Sequence, residues 1–157
     1  MILFPLLLAL LSQGEGRVAL GVYERWGAFR DASPRHCFAI AEPVTRGVGP
    51  TRPFASVATW PGDGVRNQLH VRLSRERHDG AGVTLAIGER RFELVAGSSD
   101  AWAPDARTDA AIVAAMRGGR SMSVETVGAS GAPFADVYAL GGAATAIDAA
   151  ALGCVKR

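Results

Sequence analysis

Apolar residues in this chain come in short runs, broken roughly every ten positions by Gly, Pro and Asp, which is the rhythm of an all-β protein. The clearest alternation runs over residues 68–74. Leu69, Val71 and Leu73 point to one side and Gln68, His70, Arg72 and Ser74 to the other, which predicts a strand with one buried and one polar face. Residues 37–41 are apolar at every position, as in a strand buried on both faces. Residues 27–30 and 54–60 read as two more strands, stopped by Asp31-Ala32-Ser33-Pro34 and by Pro61-Gly62-Asp63-Gly64. Residues 83–87 and 91–95 form a hairpin around Gly88, and residues 121–127 and 134–140 a closing pair of strands.

Two segments switch to helical spacing. Residues 105–117 are Ala-rich, with Asp105 or Thr108 as N-cap, Ile112, Val113 and Met116 on one face, and Gly118-Gly119 as a stop. Residues 142–153 place Ala143, Ile147, Ala150 and then Cys154 on one stripe, so Cys154 should face the body of the domain. The predicted fold is mainly β: a single-domain β-sandwich of two layers, with accessory helices at 105–117 and 142–153.

The N-terminus changes the picture of where this domain works. Residues 1–11 carry no polar side chain. That is too short to span a bilayer, which takes about 20 residues, but suits the apolar core of a signal peptide. Small residues near Gly14 and Gly16 offer cleavage sites, although no Lys or Arg precedes the apolar run. The expected organisation is a signal peptide over 1–16 and one domain over 17–157. The mature protein would be periplasmic or secreted, with no stable membrane span after cleavage. The alternative is a buried apolar strand in a cytosolic protein.

Cys37 and Cys154 are too far apart for a CxxC redox motif or a zinc ribbon. In an oxidising compartment such a pair forms one disulfide; the alternative is two separate buried thiols. A composition of 48% hydrophobic and 20% charged residues is globular, and a net charge of +2 with interspersed signs speaks against nucleic acid or an anionic membrane as partner.

Candidate chemistry is sparse. His36 adjoins Cys37, but neighbours on a strand point to opposite faces, so the histidine is badly placed to activate the thiol. His70 and His78 match no zinc spacing. There is no Gly-x-Ser-x-Gly, and the loop glycines Gly47, Gly49, Gly62 and Gly64 lack a P-loop lysine. Neither catalytic residues nor a metal or cofactor is expected. Asp109 and Asp136 are explained by a helix first turn and a strand edge. Trp26, Trp60 and Trp102 read as core or rim packing, with a binding patch the better reading should two prove exposed together. The candidate binding surface is His70, Arg72, Trp60 and Trp102.

Four blocks carry a family resemblance: Trp26-Gly-Ala-Phe29 followed by Cys37-Phe-Ala-Ile-Ala41-Glu-Pro43; Val83-Thr-Leu-Ala-Ile-Gly88 with Phe92-Glu-Leu94 and Trp102; Asp109-Ala-Ala-Ile112-Val-Ala-Ala-Met116-Arg-Gly118; and Asp136-Val-Tyr138-Ala-Leu140 running on to Cys154. In their order and spacing the chain resembles the invasion-associated locus B family, small exported proteins of Gram-negative bacteria. The resemblance implies a β-sandwich-like fold and an export signal; the family name records an association with host-cell invasion and defines no mechanism. The expected function is non-catalytic: an envelope or secreted protein that supports the envelope or binds another macromolecule, an envelope or host protein. One alternative is a small-ligand or lipid-binding periplasmic protein with an apolar cavity between the sheet and the second helix. Another is a hydrolase using Cys37.

Overall fold

In the computed structural model, residues 16–44 and 50–155 are described. The expected signal segment, except for Gly16, lies outside them, as does most of the loop after residue 44.

The chain forms β1 (Val18–Tyr23), β2 (Trp26–Ala32), β3 (Arg35–Ala41), β4 (Phe54–Trp60), β5 (Val65–Arg72), β6 (Val83–Ile87), β7 (Arg90–Ala96), β8 (Asp100–Trp102), α1 (Ala106–Gly118), β9 (Ser121–Val127), β10 (Pro133–Ala139) and α2 (Ala143–Gly153). The strands make one ten-stranded sheet in the order β1-β2-β3-β4-β5-β8-β7-β6-β9-β10, and every pairing is antiparallel. The mainly β class and both helices are as the periodicity predicts. The two layers are limbs of this single sheet. Trp26 Nε1 donates to the Ala139 carbonyl at 2.8 Å and Val44 N to the Val137 carbonyl at 2.7 Å, which brings β10 back to the β2–β3 end. Among the described residues β1 pairs only with β2 and β10 only with β9, so the sheet is not closed into a barrel.

Both helices pack inside the curl, α2 across β1 to β4 and α1 against β5 and β7. Asp105 caps α1 as expected, accepting from Thr108 N at 2.7 Å. Beneath α2 the sheet presents small residues, Ala28, Ala39, Ala41 and Ala55, and the helix answers with Ala143, Ala146, Ile147 and Ala150, all buried. Small side chains on both partners let helix and sheet approach closely. The entry to α2 is equally tight: Gly142 has φ +83°, and a Cβ there would collide with the Tyr23 carbonyl. The far end is fastened covalently. Cys154 follows the helix and forms a disulfide with Cys37 of β3, with 5.8 Å between their Cα atoms.

Three local expectations need correction. Residues 18–30 hold two strands rather than one, because edge strand β1 has no fully buried position and so shows no alternation to read. Strand β8 was not expected; at three residues it is too short to show a period. Ser74, expected on the polar face, is fully buried. Strand β5 ends at Arg72, so the alternation stops before Ser74, whose amide donates instead to Asp136 Oδ2 at 2.8 Å.

Candidate functional site

The alternation that turns Cys37, Ala39, Val57, Leu69 and Val71 inward turns their neighbours outward. Register then decides which outward residues meet. Ser56 of β4 lies between Ile40 of β3 and His70 of β5; Ala58 lies between Phe38 and Gln68; His70 in turn stands opposite Trp102 of β8. The middle strand thus carries two small residues flanked along its length by Phe54 and Trp60, while the strands beside it carry larger ones. The result is a hollow of about 420 Å³, open to solvent, floored by Ser56 and Ala58 and walled by aromatic rings.

Two stacked pairs stand over this floor. The His36 imidazole lies on Trp60 with centroids 4.0 Å apart and planes 3° from parallel. His70 lies on Trp102 at 5.0 Å and 6°. Phe38 extends the first group, 5.2 Å from His36 and 5.7 Å from Phe29. Phe54 adds to the second, edge-on to His70 at 5.1 Å. Arginines cover the outer rings: the Arg17 guanidinium sits 4.9 Å from the Phe38 centroid and that of Arg72 5.5 Å from Phe54.

Each arginine is matched by a carboxylate. Arg17 binds both oxygens of Asp31, at 2.9 and 3.0 Å, and the Arg17 hydrogen bonds hold the Asp31 carboxyl below the usual carboxylate range. Asp100 Oδ1 lies 2.7 Å from His70 Nε2 and 3.2 Å from Arg72 Nε. His36 Nε2 is 3.6 Å from Asp31.

All four residues of the sequence-derived surface, His70, Arg72, Trp60 and Trp102, therefore lie on one face. The basic residues that follow Arg72 in sequence leave it. Arg75 lies over Phe134, Arg77 donates to the carbonyls of Gly97 and Ala81, and His78 sits in a loop with Nδ1 2.9 Å from the Asp79 carbonyl. His36 and Cys37 point to opposite sides, and the disulfide leaves no thiolate at Cys37, which removes the nucleophile of the hydrolase reading. The space between sheet and α2 is packed by Trp26, Ile147 and the alanines. A hollow of about 650 Å³ opens instead at the C-terminal rim of α2, lined by Leu20, Arg30, Arg35 and Leu152.

Sequence reasoning left Asp109 and Asp136 at a helix turn and a strand edge; both are buried. Asp109 does occupy the first turn of α1, but its Oδ1 also accepts from Leu69 N at 2.8 Å, while Asp136 takes the Ser74 amide. The two buried carboxylates thus hold the chain within β5 and just past its end, on either side of His70 and Arg72. Burial pushes the Asp109 carboxyl above its ordinary value, and the hydrogen bond from Leu69 partly opposes this. The other missed residues of the face are Arg17, His36, Phe38 and Phe54. Phe54 belongs to a run, 54–60, in which every position except Ser56 and Thr59 is apolar, so no polar alternation marks its outward face, and nothing local groups Arg17, His36 or Phe38 with it.

No family model and no curated protein matches the sequence. Among solved structures, the crystal structure of invasion associated protein B from Bartonella henselae aligns with 87% of this chain and 98% of that one, at a TM-score of 0.62 and 19% identity. At that identity the likeness is one of fold: this chain shares the fold of the invasion associated protein whose family its sequence blocks resemble.

Proposed function

We propose that this chain is a non-catalytic exported protein of the cell envelope that binds another macromolecule through the outer face of β3, β4, β5 and β8. The observation that carries the reading is the placing of the tryptophans. Trp26 is fully buried, whereas Trp60 is half-buried and Trp102 is 37% exposed, both on the same hollow. Leaving two such rings in water forgoes about 25 cal/mol for every Å² of apolar surface, which a partner would recover. Trp and Arg side by side on a concave face are the residues that dominate binding interfaces. The disulfide and the apolar N-terminal run support export.

The test is co-sedimentation of the full chain with a Gram-negative envelope fraction, beside Trp60→Ala and Trp102→Ala. Retention that drops in both variants supports the reading, and equal retention of all three removes it. Detection of a turnover lost on mutating a polar residue of the hollow would overturn the non-catalytic assignment.

A further inference from the structure

The chemistry of the hollow narrows the partner, on the premise that this face is the binding surface. Its two cations are already neutralised, Arg17 by Asp31 and Arg72 by Asp100. Among the described residues, an anionic ligand would find no unpaired guanidinium there. A cationic ligand would find the cation–π positions on Phe38 and Phe54 occupied by those arginines. What remains is uncharged: the partly exposed Trp60 and Trp102, held in place by stacking on His36 and His70, and a floor of small residues between them. Beside that floor, the Gln68 amide and the Ser56 hydroxyl make no side-chain hydrogen bond among the described residues. A volume of about 420 Å³ lies within the range of about 300–1,000 Å³ usual for ligand sites.

A neutral sugar has the complementary surface. Its ring presents C–H bonds, weakly positive, to the negative face of an aromatic ring, and its rim presents hydroxyls that both donate and accept. Two aromatic rings lining one hollow, with an amide and a hydroxyl group on the same face, suit successive rings of one chain. We infer that the outer face binds a neutral oligosaccharide, with sugar rings against Trp60 and Trp102 and hydroxyls on Gln68 and Ser56.

The test is calorimetric titration of the oxidised full chain with cellohexaose, chitohexaose and maltohexaose, followed in parallel by tryptophan fluorescence. At least one should bind saturably. Binding should weaken about tenfold or more in Trp60→Ala and Trp102→Ala, the loss expected of an aromatic anchor, and also fall in Gln68→Ala, a milder change. Leu152→Ala, on the exposed side of α2, should bind as the parent does. Failure of all three sugars overturns the inference, and so does binding that the three face variants leave intact. If none binds while envelope retention still depends on Trp60 and Trp102, the face recognises a protein or lipid; the sugar assignment then falls and the proposed function stands.

Discussion

The two sides of strands β2 to β5 divide their residues in an unusual way. The inner side, under α2, is mostly small, with Ala28, Cys37, Ala39, Ala41, Ala55 and Val57 all buried. The outer side has Phe29, His36, Phe38, Phe54, Trp60 and His70, with Gly27, Ser56 and Ala58 as its small residues. Burial alone would favour the reverse, since large apolar side chains gain most from leaving water. The inner side is small because a helix must lie close to it, fixed at Gly142 and bolted at Cys154. The outer side has no such constraint, and the aromatic residues it carries are ordered among themselves by stacking and by the Arg–Asp pairs.

Breaking the bolt should have the largest effect. On the chain-entropy model, a disulfide closing a loop of 117 residues stabilises by about 4–5 kcal/mol. Cys37→Ala with Cys154→Ala, or reduction of the native protein, should lower the urea midpoint accordingly; an unchanged midpoint would show that α2 is held by packing alone. Intact mass of the native protein should rise by two hydrogens on reduction.

The tryptophans sharpen the contrast next. Trp26→Ala empties the centre of the core and should cost about 3–5 kcal/mol. Trp102→Ala, on the outer face, should cost about 1 kcal/mol or less while weakening binding about tenfold or more. Equal costs in urea melts would mean that the outer face is part of the core rather than a surface kept for a partner.

The smallest effect concerns the grip on β5. Because the folded state raises the Asp109 carboxyl, it holds the proton more tightly than the unfolded chain does. The stabilising contribution is complete below the unfolded pKa, about 4, and is lost as pH rises through the raised folded value. Asp109→Asn keeps an oxygen for the Leu69 amide and cannot ionise, so it should gain stability relative to the parent as pH climbs through that window. Parallel stability–pH curves for the two proteins would contradict the assignment.

What the sequence alone determined is what repeats locally. Short apolar runs, alternating or continuous, bounded by Gly, Pro and Asp located eight of the ten strands, and period 3.6 located both helices. The stripe of α2 aims Cys154 inward, and that, with the expectation of export, is enough to anticipate its bond to Cys37. Strand β1, at an edge, and β8, of three residues, lacked a period to read. Which outward residues share a neighbourhood is settled when the strands pack, because register is a relation between strands and leaves no mark within one. Packing set His36 on Trp60 and His70 on Trp102, lined Ser56 and Ala58 up between taller neighbours, and carried Asp109 and Asp136 from distant elements to the amides of Leu69 and Ser74. Each of these contacts joins residues far apart in the chain, and the free energy that selects them belongs to the packed whole.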